Sequence, residues 1–348
     1  MFAAIFALIL AAHPAQDQRA RLLSDYRAIH SELDRGSPDS RTLNRAWHII
    51  GDWTALYVNA HPNASARDVV DAIRELDRSI EAQAVPLDRD AWAVSASYIH
   101  AGTFFVVAHD GVRWNIKDLA ARHSRDEIGN WASYRVGWGD GPLVGVVGHM
   151  ASDKSGRPRF YVDATAAAAA GGTFRKQISV WEWDGRAASP SFIRSYGVSL
   201  DTPPNAFSDR SITIHAKGEY KSFSSCGACT EPEVVWQIHV TPDGVTNTQP
   251  EFVDKELKAC DELLDAIIHH RPTRDIASPN VIAILRKILP SSPDHNLGML
   301  MNHEVTHSKG HTILTLSTDN LPCSSIRFEI EERHGVAYFV DARTSKCS

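Results

Sequence analysis

Apolar side chains recur at helical spacing between residues 17 and 85. One stripe comprises Leu22, Leu23, Tyr26, Ile29 and Leu33. A looser second stripe comprises Leu43, Trp47, Ile50, Trp53 and Tyr57. Ser65, with Asp68 three positions later, resembles a capping box in which Asp replaces Glu, and a third stripe follows at Val69, Val70, Ile73, Leu76 and Ile80. The pattern predicts a helical segment over residues 16–86, ended by Pro86.

Short β-rich runs replace the helical pattern between residues 87 and 250. They occupy residues 103–109, 143–149, 159–163, 177–183, 211–216 and 234–240. Asp-Gly, a dipeptide of tight hairpin turns, begins at Asp110, Asp140, Asp184 and Asp243, so these carboxylates are interpreted as turn formers and not as metal ligands. The growing intervals between them do not favour a regular propeller. We expect a Greek-key sandwich or an irregular barrel, with Ala-rich residues 164–170 as a short helix or a loose connection.

Residues 251–348 combine helical and strand patterns. Helices are expected over 252–270 and 279–289, punctuated by prolines. Side chains then alternate from Met299 onward, and a two-residue loop at 309–310 would pair Val305 with Leu314 and His303 with Leu316. A second hairpin is expected to turn near residues 334–335. The chain is therefore predicted to be α+β, with an N-terminal helical segment, a central antiparallel β-rich domain, and C-terminal helices followed by an antiparallel β meander.

The first twelve residues are wholly apolar. A membrane-spanning helix needs about 20 such residues, so this run is too short to cross a bilayer. It is typical of the apolar core of a signal peptide, here residues 1–15, and no later segment of the sequence reaches transmembrane length. We therefore expect an exported protein, periplasmic or extracellular. The alternative is an N-terminal helix that is buried in the core.

The chain has five cysteines, which leaves at least one thiol unpaired. Cys323 and Cys347 flank the last predicted hairpin, so its open end should bring them together as a disulfide. Cys260 lies on the apolar face of a predicted helix, where a free thiol acts as a small hydrophobe. Cys226 and Cys229 are either a short-range pair or separate thiols, or one of them is bonded to Cys260.

Composition narrows the class of protein but identifies no partner. The 348 residues carry a net charge of −6, with 43% hydrophobic and 22% charged residues, which are ordinary values for a folded chain. The length implies two or three domains, and the changes of pattern put their boundaries near residues 86 and 250. Phosphate contacts need clustered Lys and Arg, which the sequence lacks, so general nucleic-acid binding is not expected.

One short segment carries a recognisable chemical motif. His303, Glu304 and His307 form the pattern H-E-x-x-H, which resembles the zincin metallopeptidase motif. The resemblance implies zinc ligation by His303 and His307, with Glu304 as the general base on metal-bound water. It requires a helix, because residues four apart on a strand are about 13 Å from each other. The local alternation of side chains favours a strand. We therefore expect the protein to bind no metal or other cofactor, with zinc as the alternative.

Two further motifs have a functional and a structural interpretation. Cys226 and Cys229 form a C-x-x-C that resembles the thioredoxin type, but a turn and a strand follow it, which favours a structural disulfide or loop pair. Trp181 and Trp183 share one face of a predicted strand. Aromatic side chains on an exposed face can stack on sugars, whereas on a buried face they line a sheet core, and core lining is favoured.

The sequence lacks a nucleophile elbow, a P-loop and a dinucleotide-binding fingerprint. The leading interpretation is an exported soluble protein without catalytic activity that serves binding or scaffolding. A zinc-dependent hydrolase using the His303 to His307 motif is one alternative. A carbohydrate-binding module using Trp181 and Trp183 is the other.

Overall fold

The computed structural model describes residues 2–33, 40–98, 101–118, 145–169, 173–199, 202–217, 220–223, 233–289, 297–298, 300–308 and 310–347. These ranges hold five helices and four antiparallel sheets, so the α+β class is confirmed. Within them, no helix combines the length and the apolar character that crossing a membrane requires.

Three helices open the chain, namely α1 (Phe2–Leu33), α2 (Ser40–Ala60) and α3 (Ala66–Leu76). The predicted stripes lie on their buried faces at the described positions within the helices, as Tyr26, Ile50 and Ile73 show. The capping box is confirmed, because the Asp68 amide donates to Ser65 Oγ at 3.2 Å and the Ser65 amide donates to Asp68 Oδ2 at 2.7 Å. Each bond satisfies an amide that has no partner inside the helix.

The predicted role of Pro86 is wrong. The third helix ends at Leu76, and Pro86 lies inside strand β1 (Glu81–Asp88). This strand is the edge of its sheet, and its register shifts between Pro86 and Asp88. Proline lacks a backbone donor, and an edge strand with a bulge is a place where a sheet tolerates that loss.

The central region consists of three successive sheets, each with its strands in chain order. The first holds β1, β2 (Ala91–Tyr98), β3 (Ala101–His109) and β4 (Trp114–Asp118), and the second holds β5 (Gly145–Met150), β6 (Arg159–Ala169), β7 (Thr173–Trp183) and β8 (Ala188–Ser199). The third holds β9 (Ala206–Phe207), β10 (Ser211–Lys217), β11 (Glu233–Thr241) and β12 (Gly244–Asn247), with β13 (Glu251–Phe252) also paired to β11. Apart from β13, strands that are neighbours in sequence are also neighbours in their sheet, so the described strands form open meanders, and the expected Greek-key order is not found among them.

Within the described residues, all six predicted β-rich runs fall in strands, the run 143–149 from Gly145 onward, but residues 164–169 were misjudged. They continue β6 and pair with β7, because the partner strand supplies hydrogen bonds that outweigh the weak β preference of alanine. Three of the four Asp-Gly turns are confirmed, and Asp140 lies outside the described residues. The Asp184 carboxylate accepts bonds from the amides of Arg186 and Ala187, which lower its pKa.

Two cores organise this region. One lies between the three helices and the first two sheets, and the other lies between the second and third sheets. The three helices and the first sheet therefore share a single core. The first strand of that sheet begins at Glu81. Burial of common apolar surface holds these elements together.

The C-terminal region contains α4 (Lys255–Ile268), α5 (Pro279–Ile288), β14 (Leu300–Ser308), β15 (His311–Thr318), β16 (Cys323–Arg333) and β17 (Val336–Cys347). The four strands form a meander in chain order, as predicted, and its apolar face packs on both helices. The predicted register is confirmed, with Val305 opposite Leu314 and His303 opposite Leu316. Cys260 is a buried free thiol on α4, also as predicted.

Candidate functional site

The H-E-x-x-H segment is a strand, so the helix that the zincin motif requires is absent. His303 and His307 lie on β14, about 13 Å apart along the strand, whereas zinc–nitrogen bonds are about 2.0–2.1 Å. Glu304 points to the opposite face of the sheet, as alternate residues do. One zinc ion therefore has no place between these residues, and the described residues contain no group of three potential metal ligands.

The two histidines have structural partners instead. His303 Nε2 lies 3.1 Å from Asp254 Oδ2, on the residue that caps the N-terminus of α4. His307 Nδ1 lies 3.0 Å from Thr312 Oγ1 on the neighbouring strand. His303 thus ties an edge strand to the helix that covers the sheet.

Trp181 and Trp183 share one face of β7, and this face is buried. Each side chain is only 1% exposed within the core under the helices. Their indole nitrogens donate inside the protein, Trp181 to Ser179 Oγ and Trp183 to Asp88 Oδ2, both at 2.8 Å. The interpretation as core residues is confirmed, and sugar stacking on these two rings is wrong because no ligand can reach them.

The last hairpin places Cys323 directly opposite Cys347 on β16 and β17. Directly opposed residues of antiparallel strands have Cα atoms about 4.5–5.5 Å apart, within the range of disulfides. This register supports the predicted disulfide, which stays a prediction. Cys226 and Cys229 lie outside the described residues.

A cleft opens where α2 crosses β4. Gly51 on α2 packs against the side chain of Ile116, and a Cβ added at Gly51 would lie 2.7 Å from Ile116 Cδ1. The missing side chain therefore lets the helix approach the sheet closely. Beside this contact is a cavity of about 370 Å³, open to solvent and lined by Gln18, Asp52, Ala55, Leu56, Asn59, Arg113, Trp114, Asn115 and Ile116.

The sheet side of the cleft is built on the turn between β3 and β4. Asp110 Oδ1 accepts bonds from the amides of Val112 and Arg113, both at 3.0 Å, and these bonds lower the pKa of Asp110 to about 2. Asn115 Nδ2 donates to Asp110 Oδ2 at 2.5 Å and to the Arg113 carbonyl at 3.2 Å. The turn is thus held by its own hydrogen bonds, and it presents Arg113 and Trp114 in a defined position.

The helix side of the cleft carries Asp52. Surrounding protein atoms partly desolvate its carboxyl and raise its pKa, and the nearby His48 opposes that shift. Neither the Asp52 carboxylate nor the Arg113 side chain has a hydrogen-bond or ion-pair partner among the described residues. No ion pair joins Asp52 to Arg113, so an acceptor and a donor of opposite charge lie on opposite walls of the cleft.

The cleft presents polar groups around an apolar surface. None of its nine lining residues carries a hydroxyl, a thiol or an imidazole. Its polar groups are one carboxylate, one guanidinium, three amides and an indole, above an aliphatic floor of Ala55, Leu56 and Ile116. A few polar groups over apolar and aromatic surface are typical of small-molecule sites.

Sequence reasoning identified two components of this site but not the site. The Asp110 turn and the apolar stripe of α2 were recognised, whereas Asp52 was not singled out. Nothing in the sequence indicated that this helix and this turn would meet across β4.

Comparisons with known proteins assign no family. No protein-family model and no curated protein matches the chain. Among solved structures, a mutant of the lectin of Aleuria aurantia in complex with alpha-methyl-L-fucoside aligns with 77% of each chain, at 10% identity and a TM-score of 0.17. So low a score establishes no common fold.

Proposed function

We propose that this protein is an exported binding protein without catalytic activity, whose ligand occupies the cleft between α2 and residues 113–116. The observation that carries the proposal is the presence of Asp52 and Arg113, two opposite charges with no ion pair between them, on opposite walls of an open cavity. Its volume of about 370 Å³ lies in the range of small-molecule sites, about 300–1,000 Å³.

A thermal-shift screen tests the cleft. Amino acids, organic acids, nucleosides and monosaccharides would be added to the full chain, to the double variant Asp52→Asn, Arg113→Gln, and to the control Arg210→Gln, an exposed residue of the turn between β9 and β10. A ligand at 100 times its Kd stabilises the folded state by about 2.7 kcal/mol. We expect at least one class to raise the Tm of the wild type and the control but not of the double variant. Equal shifts in all three, or none, would contradict the proposal.

The proposal of export rests on the apolar start of the chain and is tested separately. We expect secretion from a bacterial host to yield a mature protein that begins near residue 16, as measured by intact mass and N-terminal sequencing. A disulfide between Cys323 and Cys347 would suit the oxidising compartment that export implies. An uncleaved chain retained in the cytoplasm would contradict export while leaving the cleft proposal untouched.

A further inference from the structure

We infer that the cleft recognises a carbohydrate, with one sugar ring packed on Trp114 and its hydroxyl groups bonded by Asp52, Arg113 and the neighbouring amides. The inference rests on the proposed function and specifies the ligand class of the same site. It relocates carbohydrate recognition from the buried Trp181 and Trp183 to a tryptophan that is only half-buried.

The apolar part of the site matches one side of a sugar ring. A pyranose in its chair form presents a patch of C–H groups on one side, while its hydroxyl groups project around the rim. Trp114 lies at the start of β4, packs against the core and makes an edge contact with His109, with ring centroids 5.6 Å apart. A rigid indole offers apolar surface at little entropic cost.

The polar part of the site matches the rim. Each sugar hydroxyl donates one hydrogen bond and accepts others, so its ideal partners are groups that together both accept and donate. Asp52 only accepts and Arg113 only donates, while the amides of Gln18 and Asn59 do both. The two Asn115 amide donors are already bonded within the turn, which leaves its carbonyl oxygen as an acceptor.

The charge of the site favours a neutral ligand. One carboxylate and one guanidinium sum to zero, so a ligand with a net charge would match one wall and oppose the other. An amino acid is the competing ligand, because its ammonium and carboxylate groups could pair with Asp52 and Arg113. A sugar uses the indole, the amides and both charges together, whereas the smaller amino acids leave the indole and the amides unused.

The test is isothermal titration calorimetry of the full chain with methyl glycosides of hexoses, 6-deoxyhexoses and N-acetylhexosamines, and in parallel with free amino acids. The variants are Trp114→Ala, Trp114→Phe and Asp52→Asn, with Arg210→Gln as the control. Circular dichroism melting confirms that each variant is folded. We expect at least one glycoside to bind, Trp114→Ala to weaken it about tenfold, and Trp114→Phe to retain most of the affinity.

The outcomes separate this inference from the proposed function. Cleft-dependent binding of amino acids without binding of any glycoside would overturn the carbohydrate inference and leave the binding site in place. Glycoside binding that is equal in all variants would overturn the location in the cleft. Binding of neither class, together with a negative thermal-shift screen, would overturn both proposals.

Discussion

Replacing Tyr196 with Phe should destabilise the protein by about 1.5–3 kcal/mol at neutral pH, because it removes a hydrogen bond to a buried carboxylate. The Tyr196 hydroxyl donates to Asp163 Oδ1 at 2.9 Å, and Asn205 Nδ2 donates to Asp163 Oδ2 at 3.0 Å. Asp163 is 6% exposed, and the His215 amide donates to Asn205 Oδ1 at 3.1 Å, so the network joins the second sheet to the third. The substitution leaves one carboxylate oxygen without this donor.

The loss should depend on pH. Burial raises the pKa of Asp163, while the charge of Lys176 and the bonds from Tyr196 and Asn205 oppose that shift. Removing the hydroxyl raises this pKa further, because the hydroxyl bond favours the ionised form. A carboxyl whose pKa is raised in the folded protein stabilises the folded state at pH values below its ordinary pKa of 3.8. That stabilisation is lost as the pH rises through the pKa that the carboxyl has in the folded protein. The variant should therefore lose more stability at pH 8 than at pH 4.

Urea denaturation followed by tryptophan fluorescence at both pH values measures this effect. Tyr338→Phe is the matched control, because its hydroxyl has no hydrogen-bond partner among the described residues, and we expect it to stay within about 0.5 kcal/mol of the wild type. A loss for Tyr196→Phe below that size, or one that is equal at pH 4 and pH 8, would refute the role assigned to the network.

Three other predictions concern single structural features. Ser65→Ala should cost about 1 kcal/mol in urea denaturation by removing the cap of α3, and an unchanged midpoint would argue against the capping box. In the same assay, Gly298→Ala should lower the free energy of unfolding more than Gly310→Ala. Both glycines have positive φ, but only at Gly298 would an added Cβ meet the side chains of Asp319 and Asn320. Equal losses of stability in the two variants would contradict this crowding. Mass spectrometry of a non-reduced digest should show Cys323 linked to Cys347, whereas full alkylation of both would exclude the bond.

Several elements were predictable because their determinants are local. The capping box placed the start of α3, and apolar spacing located the buried faces of α1 to α4. In the last sheet, a two-residue loop together with alternating side chains determined the register of β14 on β15. The same alternation predicted that His303 and His307 lie on a strand, before any packing was known.

Tertiary structure decided what local pattern does not encode. Pro86 lies in a strand because β1 is an edge, and residues 164–169 are extended because β7 pairs with them. Trp181 and Trp183 alternate as an exposed binding stripe would, and only the packing of their sheet into the core shared with the first sheet and the helices buries them.

The candidate site belongs wholly to this second kind. It draws on residue 18 of α1, residues 52–59 of α2 and residues 113–116 at the second edge of the first sheet. Each segment by itself is an ordinary amphipathic helix or a hairpin turn, and its sequence determines that much. Whether Asp52 faces Arg113 across a cavity depends on how closely α2 approaches β4, which the missing side chain of Gly51 permits and the shared core enforces. Periodicity reports which face of an element is apolar, whereas packing between distant elements determines what that face covers and what it leaves open.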